Sequence, residues 1–176
     1  MTKKPELKSW KYYLSDPGKK PDRLVLMLHG CAGNADDVLS FASFLQKNTA
    51  GKSFVAVAPD AFLPSAEKSD GYQWFDIENN YAKNLFASPY EQLSEAEKKM
   101  FKNMAGGEQG MKSASETLNA FLDFCQKKFG LDDSQTILFG YSQGAMQALD
   151  MGISRAGTVR AIVALSGCLI PPDKEE

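Results

Sequence analysis

Apolar residues in this chain fall into short continuous runs separated by longer segments with helical spacing. Leu24-Val25-Leu26-Met27-Leu28, Phe54-Val55-Ala56-Val57-Ala58, Ile137-Leu138-Phe139 and the segment from Val159 to Leu165 are the clearest runs. Runs of this length, without alternation, suit strands buried on both faces, as in a parallel or mixed sheet. Lys8 to Leu14 differs, with Trp10, Tyr12 and Leu14 at alternate positions, which predicts a half-buried strand. Between the runs, Val38, Leu39, Ala42 and Leu45 predict the inner stripe of one helix. Ala114, Leu118, Phe121, Leu122, Cys125 and Phe129 predict that of a second, and Ala145, Ala148, Leu149 and Gly152 that of a third. Strand and helix alternate, which argues an α/β layered domain with a mostly parallel sheet.

Local chemistry punctuates the pattern. Asp16-Pro17-Gly18 is a turn, and Pro59 stops the second buried run. Asn34 is placed to cap the first helix, with Asp36 and Asp37 in its first turn, where the helix dipole favours negative charge. Gly130 is placed to end the second helix. Asp60 to Asn80 reads as a loop with an aromatic centre, Gly71 to Ile77. Ser94 and Glu97 form a capping box, so a short helix with Met100 and Phe101 is expected after Ser94. Residues 81–107, ending at Gly106-Gly107, read as a lid-like insertion within one domain spanning 1–176.

Composition narrows the class. The chain has 176 residues, 43% hydrophobic and 24% charged, with a net charge of -2, as expected for one globular domain. No basic face is concentrated enough for nucleic acid, and no apolar run approaches the length of a membrane span. The basic N-terminus lacks the apolar core of a signal peptide. Cys31, Cys125 and Cys168 have no metal-type spacing and are odd in number, which reads as free thiols in a reducing cytoplasm. No metal or cofactor is expected. A flavodoxin-like nucleotide binder is disfavoured, because His29-Gly30-Cys31-Ala32-Gly33 has too few glycines for a phosphate loop.

The chemistry concentrates at Gly140-Tyr141-Ser142-Gln143-Gly144, an apolar strand that breaks into Gly-x-Ser-x-Gly and then turns helical. That is the pattern of a nucleophile elbow, which lifts one serine onto a sharp strand-to-helix turn. A plain Ser-Gly turn is the alternative. Serine needs a base, an acid that orients the base, and N–H donors for the oxyanion. The backbone N–H of Gln143 is one expected donor. The other is expected at Cys31, in the loop after the Leu24–Leu28 run. Both loops would lie at the carboxyl ends of parallel strands, where ligands bind.

Leu28-His29-Gly30, Ala58-Pro59-Asp60-Ala61, Trp74-Phe75-Asp76-Ile77, Gly140 to Gly144 and Leu165-Ser166-Gly167 occur in this order. In that combination the chain resembles the phospholipase/carboxylesterase family, which includes acyl-protein thioesterases, from about residue 23 to Cys168. The resemblance implies an α/β-hydrolase fold and hydrolysis of carboxylic esters or thioesters through an acyl-enzyme. It marks Ser142 as nucleophile, Cys31 and Gln143 as oxyanion donors, and Trp74 as a wall of the acyl pocket; His29 and Tyr141, which flank this chemistry, are candidate substrate-binding residues. Small esters, lysolipids and acyl thioesters are the substrates it implies. Cys31 stands where relatives often carry leucine, and Ala145 replaces a glycine common after the elbow.

In this fold the serine is followed by the acid and then the histidine. The single histidine, His29, precedes Ser142, so the expectation is a shortened hydrolase lacking its last strand-helix units and nearly inactive alone. His29 reads as a loop-shaping residue, Asp173 as part of a solvated tail, and Cys31 as a small hydrophobe, not a second nucleophile. Two other readings stand beside the shortened hydrolase. One is a non-catalytic acyl-binding or remnant protein, the other an assembly in which a second chain supplies the acid and base. The strand at 159–165, with no successor beside it, is expected to be an open edge through which the chain self-associates.

Overall fold

The computed structural model describes residues 7–48, 52–76, 88, 90–99 and 110–169. Its main sheet has five strands: β1 (Trp10–Leu14), β2 (Arg23–Leu28), β3 (Phe54–Pro59), and, after the short β4 (Leu63–Pro64) and β5 (Tyr72–Gln73), β6 (Thr136–Tyr141) and β7 (Ala161–Leu165). The spatial order is β1-β3-β2-β6-β7. β3, β2, β6 and β7 run parallel, and β1 adds antiparallel to β3 with Trp10 opposite Pro59. β4 and β5 form a separate antiparallel hairpin beyond the end of β3.

Among the described residues, three helices cover this sheet. α1 (Ala35–Asn48) lies on one face, packing Ala35, Val38 and Ala42 against Val25, Met27, Ala56, Ala58 and Phe139. Asn34 caps it as expected, its Oδ1 accepting from the N–H groups of Asp36 and Asp37 at 3.0 and 3.2 Å. α2 (Met111–Phe129) and α3 (Gln143–Ser154) cover the other face. The larger core sits there, with Leu24, Leu26, Leu28, Val55, Val57 and Leu138 beneath Leu118, Leu122 and Met151. α2 ends at Gly130, and the expected stripe from Ala114 to Cys125 is its buried face.

The capping box forms reciprocally: the Glu97 carboxylate accepts from the Ser94 N–H at 2.7 Å, and Ser94 Oγ accepts from the Glu97 N–H at 3.3 Å. Residues 95–99 follow as one helical turn. The expectations for Met100, Phe101 and Gly106-Gly107, and most of the 81–107 insertion, lie outside the described residues.

Two expectations need correction. The alternation in β1 was read as one buried face, yet Tyr12 is half exposed and Tyr13 is partly buried. The cause is position: at the sheet edge β1 is touched from both sides. Trp10 packs edge-on against Phe121 and Phe124 of α2, while the Tyr13 hydroxyl donates to Gln46 of α1. β7 begins at Ala161, with Val159 packed against the core before the strand. Its neighbour β6 is largely buried, yet Ala161, Val163, Ala164 and Leu165 of β7 are exposed. Among the described residues, an apolar strand is the outer edge of the sheet.

Candidate active site

The elbow is built at the junction of β6 and α3. Ser142 has φ 51° and ψ -116°, a backbone state that a residue with a Cβ rarely adopts. It is held there from both sides. The Ser142 N–H donates to the Leu165 carbonyl of β7 at 2.8 Å, and its carbonyl accepts from the Ala145 and Met146 N–H groups at 2.9 and 3.2 Å. The flanking glycines permit the tight bend. A methyl on Gly144 would stand 2.2 Å from the Leu28 carbonyl oxygen and 2.5 Å from that of His29. The first turn of α3 therefore sits directly on the end of β2, and any side chain at this position would push the two apart. Ser142 itself is partly exposed, and Tyr141 beside it is 52% exposed.

The loop after β2 meets this bend. A methyl on Gly30 would lie 3.0 Å from the Tyr141 ring and 3.3 Å from Ser142 Cβ, so the His29-Gly30 backbone lies against the serine. The N–H groups of Gln143 and Gly144 belong to the first turn of α3, where helical geometry gives them no internal acceptor and the helix dipole is positive. Cys31, one residue beyond Gly30, is exposed, and its thiol faces the Gln73 side-chain oxygen at 3.8 Å. Partial desolvation of its sulfur and the nearby Glu67 carboxylate push the thiol up, so it stays protonated near neutral pH. A protonated thiol is a poor nucleophile, so the side chain at this position is not set up for attack.

His29 and Trp74, both candidates for the substrate site, lie buried beneath it, and His29 takes the loop-shaping place. His29 is fully buried. The Ala61 N–H donates to His29 Nε2 at 3.2 Å, which puts the ring proton on Nδ1, and Nδ1 donates to the Gly30 carbonyl at 2.8 Å. Burial pushes the imidazole down, against the opposing pull of the Gly30 carbonyl and of Asp60 and Asp37. With both nitrogens engaged and the ring neutral, His29 shapes the loop and has no nitrogen free for Ser142. Trp74 is 1% exposed. A buried indole N–H needs an acceptor, and Trp74 finds it in the His29 carbonyl at 2.7 Å, with the two rings 4.8 Å apart. Phe62 meets its other side edge-on at 5.6 Å. Trp74 is a core residue beneath the loop in this arrangement, not an open wall.

One participant was not foreseen: the side chain of Gln143. It is buried and fully used, accepting from the Trp74 N–H at 2.8 Å and donating to the Phe75 carbonyl at 2.8 Å. Asp60, the first residue of the expected loop, also joins two elements. Its carboxylate accepts from the Ala35 N–H at 2.7 Å and from Ser9 Oγ at 2.5 Å, tying the start of α1 to the end of β3. Non-glycine residues with positive φ among the described residues are Ala32, Ser142 and Ser166, each just past the carboxyl end of a parallel strand. Among the described residues no helix is long and apolar enough to cross a membrane, and no three metal-type side chains gather.

A family model described as phospholipase/carboxylesterase matches residues 12–176. The solved structure of esterase PE8 is 29% identical, with a TM-score of 0.66, over 88% of this chain and 61% of that one. A phospholipase/carboxylesterase from Dyadobacter fermentans is 22% identical (TM-score 0.56) over 96% of this chain and 65% of its own. A carboxylesterase from Mesorhizobium loti is 19% identical (TM-score 0.62) over 96% and 67%. The latter two likenesses concern the fold alone. The chain thus spans about three-fifths to two-thirds of the length of these structures, and its fold is that of the α/β-hydrolases.

Proposed function

The chain belongs to the phospholipase/carboxylesterase family, and from that premise we propose that it carries the nucleophile side of a serine hydrolase acting on carboxylic esters or thioesters. Ser142 Oγ attacks the acyl carbon, and the alcohol or thiol leaves. The resulting acyl-enzyme is then cleaved by water. The amides of Cys31 and Gln143 hold the charge that develops on the carbonyl oxygen. Small esters, lysolipids and acyl thioesters are the substrate classes, approaching past Tyr141. The observation that carries this reading is the strained Ser142 backbone, φ 51°, between a strand and a helix with the Gly30 loop against its Cβ. Strain of this kind costs about 1–3 kcal/mol and gathers at sites where it serves chemistry.

The base is the missing partner. The sequence has one histidine, and its nitrogens serve Ala61 and Gly30. Loss of a base costs on the order of a million-fold in turnover where a triad has been dissected, and donors alone leave roughly a thousand-fold over water. These 176 residues by themselves are therefore expected to turn over p-nitrophenyl esters very slowly. Fast turnover needs a base at Ser142 that His29, with both ring nitrogens engaged, does not supply. The exposed apolar edge at β7 is our proposed surface for self-association. We assign residues 81–107 to a lid-like insertion of the single domain and the protein to the cytoplasm.

A fluorophosphonate probe tests the core of the proposal, because Oγ must displace fluoride from phosphorus with help from the same two amides. We expect slow, stoichiometric labelling that Ser142→Ala abolishes. Labelling that persists in Ser142→Ala, or is absent from the folded wild type, defeats it. The absent case would favour the second reading, an acyl-binding protein without turnover, for which the engagement of His29 is the supporting observation.

A further inference from the structure

The Gln143 side chain does something its position in the elbow does not require. A residue there must supply a backbone N–H, and its side chain is free to point into solvent. Instead the carboxamide is 98% buried and takes the place of a peptide group beside the 74–75 backbone, accepting at Trp74 and donating at Phe75. The chain it holds continues the network. The Trp74 indole donates to the His29 carbonyl, and the His29 ring joins the Ala61 N–H to the Gly30 carbonyl. From Gly30 the Gly33 N–H closes the loop around Cys31 at 3.0 Å, and the Tyr72 N–H returns to the Gly33 carbonyl at 2.8 Å. The circuit thus starts and ends on one segment, 72–75, takes in the Cys31 loop, and is tied at Trp74 and Phe75 to the residue that carries the other proposed oxyanion donor.

We propose that the Gln143 carboxamide is a positioning residue that locks the 72–75 segment to the first turn of α3 and, through Trp74 and His29, fixes the Cys31 loop relative to the Gln143 amide. This rests on the reading of Ser142 as a nucleophile and adds a separate physical claim to it. A buried amide with both ends paired is strongly directional, since losing either partner leaves a buried polar group unsatisfied. Gln143 therefore carries two functions on one residue: the backbone donates to the oxyanion, and the side chain sets where the other donor stands. The arrangement is made before substrate arrives, which is the condition for donors to stabilise a transition state without reorganising.

Two variants separate this from a merely structural role. Gln143→Met keeps the length and loses both hydrogen bonds. Gln143→Glu keeps the acceptor for the Trp74 N–H and loses the donor to Phe75. Labelling by a fluorophosphonate is followed to saturation, so that the maximal rate and the half-saturating concentration are read apart. Amide exchange is measured on the same samples. We expect the maximal rate to fall at least tenfold in Gln143→Met and by less in Gln143→Glu, with half-saturation within twofold of wild type. Exchange should quicken at Trp74, Ala61, Gly33 and Tyr72, and stay unchanged at Leu138 in the centre of β6. Faster exchange confined to Trp74, or a variant that labels as fast as wild type, overturns the proposal. An unlabelled wild type sinks the nucleophile reading instead, and exchange at Gly33 and Ala61 still decides the coupling. Should Gln143→Met fail to fold, Gln143→Glu carries the same comparison.

Discussion

The two ends of β6 are built on opposite terms. At its carboxyl end the chain is strained and open: Ser142 has φ 51°, Ser166 beyond β7 has φ 54°, and Tyr141 is half exposed. At its amino end Arg155, Gln126, Asp133 and Thr136 are joined in one network of hydrogen bonds and ion pairs. Arg155, just after α3, donates Nε to Asp133 at 2.7 Å and its terminal nitrogens to Asp123 at 2.6 Å, Gln126 at 3.1 Å and Asn119 at 3.2 Å. Gln126 in turn donates to Asp133 and to Thr136 Oγ1, the first residue of the strand. This guanidinium therefore joins α2, α3 and the start of β6. The contrast shows how a domain tolerates an unfavourable turn. The fold is held at the end without chemistry, and the relaxed end anchors both flanks of the strained one.

The strongest way to break this contrast is to remove the bend's permission to exist. Gly144→Ala places a methyl 2.2 Å from a backbone oxygen of β2, which cannot move aside as a flexible side chain would. We expect a loss of about 3 kcal/mol or more, beyond ordinary overpacking, read as a lower urea midpoint. A midpoint equal to wild type would mean that the elbow is looser than its geometry.

Arg155→Ala acts at the other end and should separate stability from reactivity. It leaves the Asp133 carboxylate and the Gln126 amide without their cation. Arg155 is 11% exposed, but Asp123 is 64% and Asp133 23% exposed, so water takes over part of the lost pairing. We expect roughly 2 kcal/mol of destabilisation, with the labelling rate of the folded protein within twofold of wild type. A labelling rate that collapses with Arg155 would show that the two ends are not independent.

The sequence made one end more legible than the other. Continuous apolar runs located the four parallel strands, and in β2, β3 and β6 the reason is burial: a strand covered on both faces leaves little room for polar residues. The Asn34 cap, the Ser94–Glu97 box and the Gly130 stop were legible for a local reason, since each is decided within a few residues. The elbow was legible because its glycines are demanded by backbone contact. What was hidden depends on distant partners. Gln143 meets Trp74 and Phe75 across 69 and 68 positions, and Arg155 meets Asn119 across 36. Nothing at either end of such a pair announces the other. Trp74 was hard to place for a related reason: its apolar body suits a pocket wall and a core alike, and its burial with an acceptor at the His29 carbonyl is visible only in the fold.

The finest test uses protons, because the two ends answer to different pH. Burial holds the His29 imidazole below its ordinary value of 6.5. In the unfolded chain it is free to protonate as the pH drops below 6.5, while in the folded protein it resists. The unfolded state then binds more protons, and stability falls as pH falls, by at most about 1.4 kcal/mol per pH unit for one group. Asp133 behaves differently. Burial alone would raise its carboxyl, but the Gln126 and Arg155 hydrogen bonds outweigh this and hold it below its ordinary 3.8. Its contribution is fully present above that value and is lost as pH falls through the lower, folded one. Between about pH 6.5 and 5, therefore, the strained end should loosen while the clamp at the relaxed end stays intact. Urea midpoints across this window should decline in the wild type. They should run flatter in His29→Gln, from a lower start, and keep the wild-type slope in Asp133→Asn. A wild-type profile that is level from pH 6.5 to 5 would mean that His29 takes up its proton without cost, and that the hydrogen bonds to Ala61 and Gly30 do not hold the loop beneath Ser142.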